Sequence, residues 1–284
     1  MKPVFRFAPS PNGRLHLGHA YSAWLNAELA RKTGGKFLVR MEDIDITRST
    51  PEFAQACLDD LAWLGLKWEK PVRIQSQHWD DYAAAFARLK TMGLVYPCFC
   101  TRKEVAEAAQ GQDPDGAPLY AGTCKHMTAD AAEASIAAGV PVAWRLDMAK
   151  ALEQVARPLR YSRFFPQTDK TESVLADPAR WGDAVLIRKE TPTSYHLSVV
   201  VDDALQGITH VVRGADLEAA TDLHVLLQHL LELPTPQYFH HDLIPDESGE
   251  KLDKSRGSES LADLRAQGVS AEEIMAKMQA LGVI

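Results

Sequence analysis

Residues 4–19, VFRFAPSPNGRLHLGH, join a short apolar run to a loop that neither a strand nor a helix can cross. Val4, Phe5 and Phe7 read as a buried strand. Pro9, Pro11 and Gly13 then break the chain into a tight loop. From about Leu15 the pattern turns helical, with Leu17, Tyr21, Trp24, Leu25 and Leu29 at three- and four-residue steps. Thr33-Gly34-Gly35 ends that helix, with glycine at the C-cap. His16 and His19 share one face of its first turn. A helix start offers unpaired N–H groups and a positive dipole end, which suit phosphate. Gly18 leaves room for a nucleotide against the backbone.

Lys36–Met41 reads as a second strand, delivering Glu42 and Asp43 to its C-terminal end. Strand, helix and strand in that order predict a parallel sheet, whose ligands sit outside the carboxyl ends of the strands. Glu42 stands where an ammonium group could be held. Ser49-Thr50-Pro51-Glu52 is a helix start, and helices are expected over Glu52–Leu64 and Trp79–Met92. Residues 128–145 look like a helix leading into a strand, Val140–Leu146. Asp183–Arg188, Leu197–Val201 and Ile208–Val212 are expected as strands that restore the parallel sheet. Thr221–Leu233 is an amphipathic helix whose His224 and His229 read as structural or solvent-facing, and Leu261–Ala266 and Ala271–Leu281 are short helices. Arg213, at a strand end, can hold a carboxylate with two hydrogen bonds. The expected fold is α/β: a Rossmann-like parallel-sheet nucleotide-binding domain, a zinc-bearing insertion and a short helical C-terminal module. The boundaries are 1–97 and 181–234 for the two halves of the catalytic domain, 98–180 for the insertion, and 235–284 for the last module.

The string from Arg6 through Ala8, Pro9, Ser10 and Pro11 to His16, Gly18 and His19 resembles the HIGH motif region of class I aminoacyl-tRNA synthetases, in particular the glutamyl branch. The stretch from Gly35 through Glu42 and Asp43 to Asp45 is similar to the same branch. Lys251-Leu252-Asp253-Lys254-Ser255 resembles the second signature of that class, KMSKS, with leucine for methionine and Asp253 for serine. The resemblance implies ATP with Mg2+ and L-glutamate as substrates. His16, His19 and Lys254 would then be catalytic, with Gly18, Lys251 and Ser255 beside them at ATP. Arg6, Ala8, Ser10, Glu42, Tyr195 and Arg213 would hold glutamate, Arg6 choosing a carboxylate over an amide. Only 29 residues follow Ser255, and a domain needs at least about 50, so no anticodon-binding domain is expected. That architecture resembles the short glutamyl-Q tRNA(Asp) synthetases, which esterify glutamate onto the cyclopentenediol of queuosine at the wobble position of tRNA(Asp). Queuosine-bearing tRNA(Asp) is therefore the expected partner of a monomeric enzyme. A truncated glutamyl-tRNA synthetase charging tRNA(Glu) and a non-catalytic RNA-binding paralogue are the alternatives.

Of four cysteines, Cys57 has the spacing of a core residue. Cys98, Cys100 and Cys124 instead offer three sulfurs, a set that suits tetrahedral structural zinc rather than magnesium. Ligand chemistry alone would take His126 as the fourth donor, whereas the resemblance implies Tyr120, four residues before the last cysteine. Both stay open. Net charge of −7 argues against a nonspecific nucleic-acid binder. Arg157, Arg160, Arg163, Phe164 and Phe165 could nevertheless contact RNA, or simply pack. No apolar run reaches the roughly 20 residues of a membrane span. Met1-Lys2-Pro3 leads into a strand without a signal-peptide pattern, so a cytoplasmic location is expected.

Overall fold

A computed structural model describes residues 2–168, 170–244 and 259–281. Its first unit is β1 (Val4–Phe7), α1 (Leu17–Thr33), β2 (Lys36–Met41), α2 (Pro51–Trp63), β3 (Glu69–Ile74) and α3 (Trp79–Thr91). Helix α1 ends because Gly34 turns left-handed at φ 63°, where its N–H reaches the Ala30 and Arg31 carbonyls. Strands β1, β2 and β3 pair in parallel in that order. The apolar face of α1, with Trp24, Leu25 and Leu29, packs on Phe5 and Val39 of this sheet.

The middle of the chain holds β4 (Val95–Cys98), α4 (Arg102–Ala108), α5 (Ala129–Ala137), β5 (Ala143–Leu146), α6 (Met148–Glu153), β6 (Arg160–Phe164), β7 (Thr171–Leu175) and β8 (Val185–Ile187). Strands β4, β5 and β8 make a separate antiparallel sheet. The strand expected at Asp183–Arg188 thus does not restore the parallel sheet. It closes the antiparallel one. Arg163 is held by Glu172 and Glu218, and Phe164 packs on His210 and Phe239, so these two are used in packing, while Arg157 and Arg160 are exposed.

The remaining elements are α7 (Tyr195–Leu205), β9 (His210–Gly214), α8 (Ala220–Leu230), β10 (Gln237–His241), α9 (Leu261–Ala266) and α10 (Ala271–Ala280). The strand expected at Leu197–Val201 is helical. Ser194 caps it by accepting the Leu197 N–H, and residues 197–203 are all buried. Burial on every side leaves no amphipathic period, so the Val-rich run mimics a strand.

Strands β9 and β10 pair in parallel, β10 meets β6 in parallel, and β7 closes that edge antiparallel. The expected boundary at residue 234 falls between these two paired strands, β9 and β10. Strand β9 stands beside β1, where Thr209 N–H donates to Val4 C=O at 3.0 Å and Val4 N–H to Thr209 Oγ1 at 2.8 Å. The strands therefore run β3, β2, β1, β9, β10, β6, β7 across the molecule. Chain direction across the sheet reverses between β1 and β9. Such a switch point opens a crevice at the carboxyl ends of the two strands.

Helices α9 and α10 bury Leu261, Leu264, Ile274 and Met278 in the same core as α1. Ser260 bridges to His16, and Leu261 N–H donates to Leu15 C=O at 2.8 Å, so this last module seats the HLGH turn. Among the described residues no helix is long and apolar enough to cross a membrane.

Candidate active site

At the switch point lies a cleft of about 910 Å³. Arg6, Ala8, Ser10, His16, Gly18, His19, Glu42, Tyr195 and Arg213 all line it, so every described residue expected at ATP or glutamate comes to one place. Lys251, Lys254 and Ser255 lie outside the described residues. The chain on either side of that stretch is at the cleft: Leu243 and Ile244 line it, and Ser260 meets His16.

His16 and His19 cap α1 reciprocally. His16 Nδ1 accepts the Gly18 N–H at 3.1 Å, and His19 Nδ1 accepts the His16 N–H at 3.2 Å. An Nδ1 that accepts leaves the proton of a neutral imidazole on Nε2. The two histidines are thus fixed as Nε2–H tautomers at the positive end of a 17-residue helix. Gly18 has a local reason beyond access for a nucleotide: a Cβ there would stand 3.0 Å from His16 Cε1.

The floor is a buried charge network that sequence reasoning missed. Arg6 Nε meets Asp203 Oδ1 at 3.2 Å, and Arg40 Nη1 meets the same oxygen at 2.7 Å. Arg40 Nη2 also holds Glu42 Oε1 at 2.9 Å. Asp202, the residue before Asp203 on α7, takes Arg73, Gln75 and Tyr82. The guanidiniums of Arg6, Arg40 and Arg73 are balanced by the carboxylates of Glu42, Asp202 and Asp203. Burial pushes the Glu42 carboxyl up, opposed chiefly by the Arg40 charge. Its Oε2 has no hydrogen-bond partner among the described residues, leaving an acceptor at the end of β2 that fits an ammonium group.

Arg213 is different. It is 5% exposed, and no carboxylate oxygen lies within ion-pair reach of it among the described residues. Its N–H groups go to neutral acceptors: Tyr195 OH at 3.1 Å, Thr221 Oγ1 at 2.7 Å, His224 Nδ1 at 3.3 Å and His240 Nε2 at 3.4 Å. Burial, then the Arg213 charge, pushes His224 well below the usual imidazole range and His240 down to about 3. Tyr195 is pushed up by burial and stays a phenol. A buried cation without a counterion is costly unless a ligand supplies the anion. The expectation that His224 is structural or solvent-facing misses its place beside Arg213. Its signal was faint: it is one of four buried polar residues, with Thr221, Asp222 and Gln228, in a helix buried on nearly every side.

In the insertion, Cys98, Cys100 and Cys124 bring their sulfurs within 4.8 Å of one another. Cys100 and Cys124 Sγ are 3.5 Å apart. Tetrahedral zinc with bonds of about 2.3 Å spaces sulfurs by about 3.8 Å, so the donor set fits that metal. Tyr120 OH lies 3.6 Å from Cys100 Sγ and accepts the Cys124 N–H at 2.8 Å. His126 is exposed and does not join the group.

The family described as class I tRNA synthetases (E and Q), catalytic domain, matches residues 3–284. A protein of Rhodobacter capsulatus named glutamyl-Q tRNA(Asp) synthetase is 42% identical over 95% of this chain and 98% of its own length. Another of that name, from Symbiobacterium thermophilum, is 38% identical over 95% of this chain and 83% of its own. The fold is similar to that of a glutamate tRNA ligase from Elizabethkingia meningosepticum, solved in complex with its amino acid. That similarity has a TM-score of 0.72 at 25% identity and covers 90% of this chain. The chain spans only about half of that ligase, 53%. The capped histidine turn, the buried arginine and these matches agree: the chain belongs to the class I (E and Q) tRNA synthetases, among the glutamyl-Q tRNA(Asp) synthetases.

Proposed function

We propose that this chain activates L-glutamate with ATP and transfers the glutamyl group to the cyclopentenediol of queuosine in tRNA(Asp). The observation that carries the activation step is Arg213, a buried cation with no carboxylate in ion-pair reach among the described residues, on the same cleft as a helix start capped by two Nε2–H histidines. Glutamate enters with its ammonium at Glu42 and a carboxylate at Arg213 and Tyr195, with Arg6, Ala8 and Ser10 along the wall. ATP, carrying Mg2+, lays its phosphates against the start of α1 at Gly18. The α-carboxylate oxygen attacks the α-phosphorus, the bond to the β-phosphate oxygen breaks, and glutamyl-adenylate and pyrophosphate result. His16 and His19 donate Nε2–H bonds to the in-line transition state, and Lys251, Lys254 and Ser255 are assigned the pyrophosphate side. A queuosine hydroxyl then displaces AMP from the acyl carbon. Preference for a carboxylate over an amide falls to Arg213 rather than Arg6, because Asp203 already balances Arg6.

His16→Asn separates cap from chemistry. Asparagine still accepts the Gly18 N–H but lacks Nε2–H. The melting temperature should stay near wild type, while ATP–pyrophosphate exchange falls on the order of 10²-fold. An exchange rate within threefold of wild type would take His16 out of the reaction.

Zinc is assigned to Cys98, Cys100, Cys124 and Tyr120, as a structural clamp on the insertion. Metal analysis should give one zinc per chain, little in Cys124→Ser, and unchanged content in His126→Ala. Loss of metal in His126→Ala would return that residue to the ligand set.

The transfer step is tested with radiolabelled glutamate and three acceptors: tRNA(Asp) with queuosine, tRNA(Asp) lacking it, and tRNA(Glu). Label only on the first supports the proposal. Label on tRNA(Glu) makes the chain a short glutamyl-tRNA synthetase, and no label on any acceptor together with no glutamate-dependent exchange makes it a non-catalytic paralogue.

A further inference from the structure

We infer that His224 is a positioning residue that sets the site's selectivity for an acidic amino acid: it holds the Arg213 guanidinium with an uncharged acceptor and so leaves the cation for the substrate carboxylate. The inference rests on the assignment of Arg213 to the glutamate carboxylate.

A buried arginine needs its donors filled, and proteins commonly fill them with Asp or Glu. Elsewhere in this cleft that is what happens: Arg6 and Arg40 both lean on Asp203. At Arg213 the same geometric work is done without charge. His224 Nδ1 lies 3.3 Å from Nη1, and its Nε2 lies 3.2 Å from His196 Nδ1. Because Nδ1 accepts from Arg213, the His224 proton sits on Nε2 and is donated to His196. The second imidazole therefore fixes the tautomer of the first. His224 is 2% exposed, and its ring is flanked by those of Tyr195 and His196. On the other side Thr221 Oγ1 takes Nη2 at 2.7 Å and is itself 3.1 Å from His240 Nε2. The guanidinium is locked in orientation by groups that leave its charge intact.

The consequence is specific. An aspartate at position 224 would put a resident carboxylate where the substrate's competes. An asparagine there, nearly the same shape, offers a neutral carbonyl to Arg213 and an N–H to His196. A purely structural role would respond alike to both.

His224→Asn and His224→Asp should be compared for glutamate-dependent ATP–pyrophosphate exchange and for thermal unfolding without substrate. The asparagine variant is expected to keep the glutamate KM within about fivefold of wild type. The aspartate variant should raise it about 100-fold or more, with the ATP KM unchanged in both. The aspartate variant should also melt at or above the asparagine variant, since it pairs a buried cation. Thr221→Asn against Thr221→Asp repeats the comparison from the other side of Arg213. Equal glutamate KM values in the two members of a pair, or an aspartate variant at 224 that melts below its asparagine partner, overturns the inference. Wild-type protein without glutamate-dependent exchange would instead overturn the assignment on which it rests, whatever the variants do.

Discussion

Replacing Arg213 with alanine should lower kcat/KM for glutamate in ATP–pyrophosphate exchange on the order of 10³-fold, with the ATP KM near its wild-type value. The size follows from a guanidinium with no carboxylate in ion-pair reach among the described residues. Where a buried arginine is already paired, a substrate carboxylate can only share it. At Arg213 the nearest partners are a phenol, a hydroxyl and two imidazoles, all uncharged. The substrate anion therefore meets a buried guanidinium that no bonded carboxylate neutralises among the described residues. Lysine should not rescue the loss, because its point charge cannot occupy four fixed acceptors and still face a carboxylate with a planar fork. Preference for glutamate over glutamine should disappear from whatever activity the alanine variant retains. Arg6→Ala should leave more of that preference, since Asp203 keeps Arg40 as its partner. A loss below tenfold in Arg213→Ala would place the carboxylate elsewhere in the cleft.

The parts of this site that were legible in the sequence are those that lie on local pattern. A Pro/Gly loop between a strand and a helix announced His16 and His19, and the glutamyl-type string around them pointed to Arg6, Glu42, Tyr195 and Arg213, which the fold brings to one cleft. The parts that were not legible depend on contacts between distant segments. Asp203 is 197 residues from Arg6 and 163 from Arg40 in sequence. The Val199-Val200-Val201 run, buried on all sides, looked like a strand ending in two acids. As a helix, it instead sends Asp202 to Arg73 and Asp203 to Arg6, with Arg40 within reach of both. The antiparallel pairing of β8 was hidden for a related reason: three apolar residues carry no sign of strand direction. That Tyr120 lies beside Cys100 while His126 is exposed emerges only from the folded loop, because a motif shows which donors exist and not which of them face inward.

Asp203→Ala should be the most damaging single change to stability, lowering the free energy of unfolding by about 3–5 kcal/mol. The carboxylate lies between two buried guanidiniums, one of them fully enclosed, and both would lose the anion they share. Arg40 would keep Glu42, but Arg6 would lose its one carboxylate partner among the described residues. Against a total stability of about 5–15 kcal/mol, that is a large share. Asp203→Asn should fall between wild type and alanine, because the amide still accepts from one arginine but carries no charge to balance two. The contrast is Arg31→Ala, which breaks a shorter ion pair with Glu28 on the exposed face of α1 and should leave the urea midpoint unmoved. Distance alone would rank these pairs the other way round. Burial ranks them correctly, because a charge that loses its partner at the surface regains water, whereas one beneath the cleft does not. Urea unfolding of the three variants at pH 7 decides the matter: equal midpoints for Asp203→Ala and Arg31→Ala would mean that the two arginines find another anion or water when Asp203 is gone.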